Sequence, residues 1–212
     1  MAIYLDSAIA SEAEVAKQMG WVKGITTNPT LLAKSDNPPE TTLKKLAQLT
    51  SGSLFYQLMA SDFDGMLAEG RKAFELIGKQ MVLKIPATPI GFEVVACLSP
   101  EITCSVTAIY SAAQAAVARE AGAKIAIAYV NRATRLLGDG IALVRDMASV
   151  LQSSDTEILA ASIKSPAEAA AALQAGAHHL TLPLAMLQAM ATHEFSEKTV
   201  EEFAKSGIGL KM

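Results

Sequence analysis

The sequence is poor in nearly everything that marks a metalloprotein, a nucleotide-binding protein or a membrane protein. Among its 212 residues it has 2 cysteines, 3 histidines and 1 tryptophan, and aromatic residues make up only 5%. Cys97 and Cys104 fit neither a C-x-x-C pair nor a zinc spacing. They are expected as free buried thiols in a reducing compartment. His178 and His179 are adjacent, so on a strand they face opposite ways and cannot share one ion. With His193 in a helix or loop, all three read as solvated surface histidines. There is no H-E-x-x-H, EF-hand or carboxylate cluster, so no metal is expected. No Walker-type glycine loop is present. Gly138-Asp139-Gly140 lacks a third glycine and reads as the turn into a helix, and Gly207-Ile208-Gly209 reads as a loose tail. Lys plus Arg number 18 against 21 Asp plus Glu, with no basic stripe to neutralise a phosphodiester backbone. No nucleic-acid partner is expected. No apolar run approaches the about 18 residues of a membrane span. The stretch MAIYLDSAIASEAE has no basic start and reaches Asp6 at once, unlike a signal peptide, so the expected location is the cytoplasm.

What the chain does have is apolar residues, 51% of the total, with a mean hydropathy of +0.29. That exceeds the roughly 45–50% of ordinary soluble domains with glycine counted, and it excludes disorder. Short apolar runs alternate with alanine-rich amphipathic stretches. Candidate strands cover 3–6, 24–27, 54–59, 82–85, 102–107, 124–129, 157–162 and 179–182. Helices are predicted near 11–19, 41–50, 62–78, 89–98, 111–121, 140–152, 166–175 and 184–190, with one more at 196–205. Ser11-x-x-Glu14 and Ser165-Pro166-x-Glu168 read as helix starts. Strands that are apolar on both faces require a covered parallel sheet. Eight units without a linker favour a single (β/α)8 barrel over residues 1–212, with an additional C-terminal helix, over a flavodoxin-like sheet with an extension.

Residues two apart on a strand share a face. Tyr4 and Asp6, Thr26 and Asn28, Phe55 and Gln57, Val82 and Lys84, Ser105 and Thr107, Ile127 and Tyr129, and Ala160 and Ser162 therefore put a polar residue at the C-terminal end of seven strands. In a barrel these converge on the mouth where active sites lie. Lys84 lies in the apolar run Met81-Val82-Leu83-Lys84-Ile85-Pro86. Lysine is almost never fully buried without a partner or a purpose. It could be paired to Asp6 or Glu93, or snorkel to the surface. Alternatively, desolvation lowers its pKa and leaves a neutral amine able to form a Schiff base with a carbonyl substrate.

These residues resemble a known family. Tyr4-Leu5-Asp6, Gly24-Ile25-Thr26-Thr27-Asn28-Pro29-Thr30, Val82-Leu83-Lys84-Ile85-Pro86-Ala87-Thr88, Tyr129-Val130-Asn131-Arg132 and Ala160-Ala161-Ser162-Ile163-Lys164 are similar to the small-subunit transaldolases and fructose-6-phosphate aldolases. The resemblance implies a class I Schiff-base enzyme with no metal or organic cofactor, acting on sugar phosphates. By position it makes Lys84 the imine-forming lysine and Asp6 the carboxylate that assists proton transfer. Asn28 would hold a donor hydroxyl, with Thr26 beside it in the same motif. Thr107 would help hold a catalytic water, and Arg132 and Ser162 would bind the sugar phosphate. Gln57 and Tyr129 stand where transaldolases of this size have glutamate and phenylalanine, and this pair resembles the aldolase branch. That branch cleaves fructose 6-phosphate to dihydroxyacetone and glyceraldehyde 3-phosphate. The alternatives are transfer of the dihydroxyacetone unit between sugar phosphates, as in the pentose phosphate pathway, and a barrel that binds sugar phosphates without turning them over. The family's homo-oligomers, rings of five or paired rings of ten, are expected here too, with Val200 and Phe203 on one face of the last helix. The tail after Phe203 is short and lacks the family's common tryptophan-containing end.

Overall fold

The computed structural model describes residues 1–210; Lys211 and Met212 lie outside the described residues. Eight parallel strands close into a barrel in sequence order. They are β1 (Ala2–Asp6), β2 (Gly24–Thr26), β3 (Leu54–Gln57), β4 (Met81–Pro86), β5 (Cys104–Ile109), β6 (Ile125–Tyr129), β7 (Glu157–Ala161) and β8 (His179–Leu182). Helices α1 (Ala10–Gln18), α2 (Pro29–Leu32), α3 (Pro39–Leu49), α4 (Phe63–Ile77), α5 (Pro89–Leu98), α6 (Ala112–Glu120), α7 (Val130–Leu137), α8 (Gly140–Val150), α9 (Pro166–Gln174) and α10 (Leu184–Met190) occupy the connections, and α11 (Glu194–Ser206) follows. This is the (β/α)8 barrel. Among the described residues, no helix is long and apolar enough to cross a membrane.

The alternation of the strands divides the apolar residues into two cores. Leu5, Ile25, Leu54, Leu83, Val106, Ala126, Ile158 and Leu180 join the helices in the outer core. Tyr4, Phe55, Val82, Ile125, Ile127, Leu159 and Ala161 pack inside the barrel. A glycine makes room there: a Cβ on Gly24 would come within 2.8 Å of the Tyr4 ring and 2.4 Å of the Ser53 carbonyl oxygen. Gly24 therefore lets its register partner Tyr4 fill the barrel's interior.

Several local expectations need correcting. Residues 29–32 and 130–137 are helical without having been expected so. Asn28 caps the first, its Oδ1 accepting the Leu31 N–H at 3.0 Å. The second starts on the residue after β6, with no turn residue to announce it. Strand β5 runs on to Ile109 through an irregularity between Val106 and Ile109, with Ala108 at φ 59°. Ser11 is not a cap, because α1 already starts at Ala10 and Ile9 provides no side-chain bond. Ser7 orders that entry instead: its Oγ accepts the Ile9 N–H at 3.0 Å and donates to Glu12 at 2.5 Å. Ser165 does cap α9, accepting the Glu168 N–H at 3.0 Å. Cys97 is exposed rather than buried, because the buried stripe of α5 is Gly91, Val94, Val95 and Leu98. Cys104 is a buried free thiol. His179 is buried rather than solvated, because as the first residue of β8 its ring packs against Tyr4 and bonds Glu157, while His178 just before the strand stays exposed.

Candidate active site

The C-terminal ends of the strands surround a cavity of about 540 Å³. Asp6, Thr26, Asn28, Gln57, Lys84, Tyr129, Arg132 and Ser162 all line it. Thr107 stands behind this wall, hydrogen-bonded side chain to side chain with Tyr129 at 2.7 Å. Eight of the nine residues named as site candidates from the sequence thus line one cavity, and the ninth is hydrogen-bonded to one of the eight.

Lys84 is central to it. Register places it between Gln57 of β3 and Ser105 of β5. It is only 4% exposed, so it does not snorkel. Its Nζ donates to the Thr27 carbonyl at 2.9 Å, and among the described residues it forms no ion pair with Asp6 or Glu93. Burial lowers its pKa to about 8, and the Asp6 charge only partly opposes this. At pH 7 about a tenth of such amines are neutral, against about 0.03% of ordinary lysines. The proton that would block nucleophilic attack is therefore held weakly.

The facing groups are tuned in the other direction. Burial raises the pKa of Asp6, with Lys84 and the Thr26 hydrogen bond pulling it down. Thr26 donates to Asp6 Oδ1 at 2.7 Å, and its oxygen lies 2.5 Å from that of Thr181. With Asp6 ionised, Thr26 has given up its only proton, so Thr181 must be the donor in the second bond. The pKa of Tyr129 is also raised, mainly by burial. Its phenol stays protonated at neutral pH and can donate or relay a proton. Gln57 has no side-chain hydrogen bond to protein among the described residues, which leaves its amide free for a ligand. Asn28 uses only Oδ1, as the cap of α2, and keeps both Nδ2 donors.

At the rim, Arg132 and Lys164 are exposed and form no ion pair among the described residues. The Arg132 guanidinium lies 5.2 Å from the centre of the Tyr129 ring. Ser162 reaches the cavity by a route other than the expected one. The inward residues of β7 are Leu159 and Ala161, and Ala160 faces the helices. The strand ends at Ala161, and a left-handed turn at Ser162, φ 60°, brings its side chain back to the cavity. Three further polar lining residues, Thr30, Lys164 and Thr181, were given no role in the sequence reading. Thr181 shares the inward face with His179 and could have been found by the same alternation, had the strand not closed on Leu182. Lys164, two residues beyond Ser162, belongs to a segment that carries the family resemblance but was given no role there. Among the described residues, no three His, Cys, Asp or Glu side chains are placed to hold a metal ion.

The family described as Transaldolase/Fructose-6-phosphate aldolase matches residues 3–211. The chain belongs to this family. It is 35% identical to the "Probable transaldolase" of Clostridium acetobutylicum, covering 97% of this chain and 96% of that protein. It is 33% identical to the "Probable transaldolase" of Aquifex aeolicus, over 97% and 95% of the two chains. A solved inosine 5' monophosphate dehydrogenase from Legionella pneumophila superposes with a TM-score of 0.62 over 88% of this chain and 58% of that one. At 12% identity that likeness concerns the barrel alone. The protein is thus an enzyme of the aldolase/transaldolase type, and the cavity around Lys84 is its candidate active site.

Proposed function

We propose that the protein is a Schiff-base aldolase that cleaves fructose 6-phosphate to dihydroxyacetone and glyceraldehyde 3-phosphate, and runs the reverse addition. The observation that carries this reading is the buried Lys84 amine, facing an amide and a phenol, Gln57 and Tyr129, rather than a second fixed charge. Neutral Nζ attacks the ketone, and loss of water gives an iminium that can accept an electron pair. Asp6 or Tyr129 takes the proton of the hydroxyl across the scissile bond. The carbon–carbon bond breaks, the aldehyde leaves, and the electron pair stays in an enamine on Lys84. Protonation of the enamine carbon restores the iminium. Water held by Gln57, Thr107 and Tyr129 then adds to it, and collapse frees dihydroxyacetone and the amine. Asn28 and Thr26 hold the donor hydroxyls. Arg132, Ser162 and Lys164 hold the phosphate, for which a guanidinium fork and an ammonium are suited. This chemistry takes place in the cytoplasm and draws on no metal or organic cofactor.

Transfer to erythrose 4-phosphate shares every step up to the enamine, whose carbon then adds to the acceptor aldehyde instead of taking a proton. The deciding experiment measures fructose 6-phosphate consumption with and without erythrose 4-phosphate, in wild type and in Tyr129→Phe. Free dihydroxyacetone should form without the acceptor. Loss of the phenol should slow that release by about 10²–10⁴-fold and slow transfer less. A wild type that transfers but releases no dihydroxyacetone would make the chain a transaldolase. Absence of a borohydride-trapped adduct on Lys84 would make it a binder. The same reading includes a homo-oligomer, supported by Phe195, Val200 and Phe203, each more than 60% exposed on α11. Light scattering at one chain mass would overturn that part.

A further inference from the structure

Outside the cavity, one carboxylate collects an unusual number of bonds from a single short segment. Glu69, half-buried midway along α4, accepts from the Tyr56 hydroxyl at 2.6 Å and from the Ala60 N–H at 2.8 Å. The Met59 N–H is shared between its two oxygens, at 2.9 and 3.1 Å. This is no helix cap: α4 begins after Asp62, whose side chain accepts the Gly65 N–H. All three donors flank Gln57 in the chain, and Gln57 and Met59 form one wall of the cavity. On the other side of that segment, Leu58 donates its N–H to the Lys84 carbonyl at 3.0 Å. The backbone that carries the Gln57 amide is thus held between the Schiff-base strand and Glu69, while the amide itself has no protein partner.

We propose that Glu69 is a positioning residue: by fixing the segment after β3 it holds the Gln57 amide against the iminium, and so sets how the Lys84-bound three-carbon unit divides between water and an aldehyde acceptor. The inference rests on the aldolase reading above. In hydrolysis, the water oxygen bonds to the iminium carbon and the water's proton leaves to the Tyr129–Thr107 pair. The carbon–nitrogen bond then breaks, giving the ketone and the free amine. Water has no handle beyond the groups that orient it, so loosening Gln57 removes most of its placement. A phosphorylated acceptor is also held by Arg132, Ser162 and Lys164, so its addition to the enamine tolerates the same loosening. Water then hydrolyses the ketose iminium that forms, a later step that leaves the division at the enamine unchanged. Misplacement by about an ångström costs up to about 10²-fold in such steps.

Glu69→Gln keeps the shape of the side chain but removes its charge, and its single amide oxygen cannot accept from Tyr56, Met59 and Ala60 at once, so the segment is held less firmly. The ratio of dihydroxyacetone release to transfer onto erythrose 4-phosphate should fall by about 5- to 20-fold, while borohydride trapping on Lys84 stays within about twofold of wild type. Tyr56→Phe removes one donor and leaves the backbone bonds, so it should shift the ratio in the same direction by about twofold; it decides the matter if the glutamine variant fails to fold. Equal losses in both reactions, or an unchanged ratio, would overturn the proposal. Gln57→Ala is measured in parallel. If Gln57→Ala shifts the ratio and the Glu69 and Tyr56 variants do not, the role of Glu69 falls alone. If Gln57→Ala leaves the ratio unchanged, the water-holding reading of Gln57 falls first.

Discussion

The two ends of the barrel are built from the same eight strands and treat their polar groups in opposite ways. At the N-terminal end, His179 Nδ1 accepts the Ala2 N–H at 3.0 Å, which places the ring proton on Nε2 for Glu157 at 2.8 Å. Tyr4 packs edge-on against Phe55 and His179, with ring centres 5.3 and 5.9 Å away. Partners there lie within the protein. At the C-terminal end, Lys84 is buried and Asp6 half-buried with no ion pair between them, and Arg132 and Lys164 face solvent with no ion pair among the described residues. Holding the Lys84 charge out of water costs the fold stability, because desolvation disfavours it. Binding groups left unspent on the fold are available to a substrate, and the closed end supplies the rigidity that keeps them in place.

Lys84→Met breaks the contrast most sharply. Turnover should vanish, since a thioether cannot form an imine, and the protein should become more stable at pH 7. The folded pKa of about 8 lies below the ordinary 10.5, so between these values the unfolded chain binds more protons and stability rises with pH. Below about 8 the folded protein carries an unfavourable buried charge worth about 3 kcal/mol. Methionine removes that charge and loses the bond to Thr27, for a net gain of about 1–2 kcal/mol. Thermal melts should show this gain at pH 7 and show it shrinking as pH approaches 10.5. In the wild type the same titration appears as a rate of imine formation that climbs about tenfold per pH unit and levels off near pH 8. A Lys84→Met variant less stable than wild type at pH 7 would contradict the account.

Arg132→Ala tests the open rim. KM for fructose 6-phosphate should rise by about 10- to 100-fold, the loss of a charge-assisted contact, with little change for unphosphorylated fructose. Equal losses for both substrates would remove Arg132 from phosphate binding. The smallest effect belongs to the closed end. The His179 hydrogen bond holds the Glu157 carboxyl below its ordinary range, so the stability it contributes is present at neutral pH and is lost as pH falls through that lowered value. Glu157 is half open to solvent, and Glu157→Gln should cost no more than about 1 kcal/mol at pH 7, leave kcat unchanged, and match wild type in acid. A fall in kcat would mean that the two ends are coupled.

The strand ends were legible in the sequence because a period of two is a strong constraint: once 24–27 or 82–85 is read as a strand, Thr26 and Lys84 can face only one way. The same rule applied to His178 and His179 would have put one of them inside. Other features lie in places where sequence pattern is silent. Helix α7 starts without punctuation after Tyr129, and Ser162 depends on a backbone torsion that no residue type there advertises. The β5 irregularity at Ala108 puts an alanine at positive φ, which its residue type does not favour. Glu69 is one carboxylate among many on exposed helix faces, and only the position of the Met59 and Ala60 N–H groups sets it apart.

Asn28 bears on how this enzyme can change over generations. Its Oδ1 caps α2, and its side chain lines the cavity with Nδ2 bonded to no protein group among the described residues. Serine, threonine and aspartate also begin helices well. Aspartate would keep the turn but bring a charge and lose both N–H donors, and serine or threonine would keep the turn but reach less far into the cavity. Among good caps only asparagine meets both demands, so selection on folding and selection on substrate meet at one codon. A lineage adopting a new donor sugar would find more freedom at Thr30, Leu31 or Met59, which touch the same cavity and cap no helix.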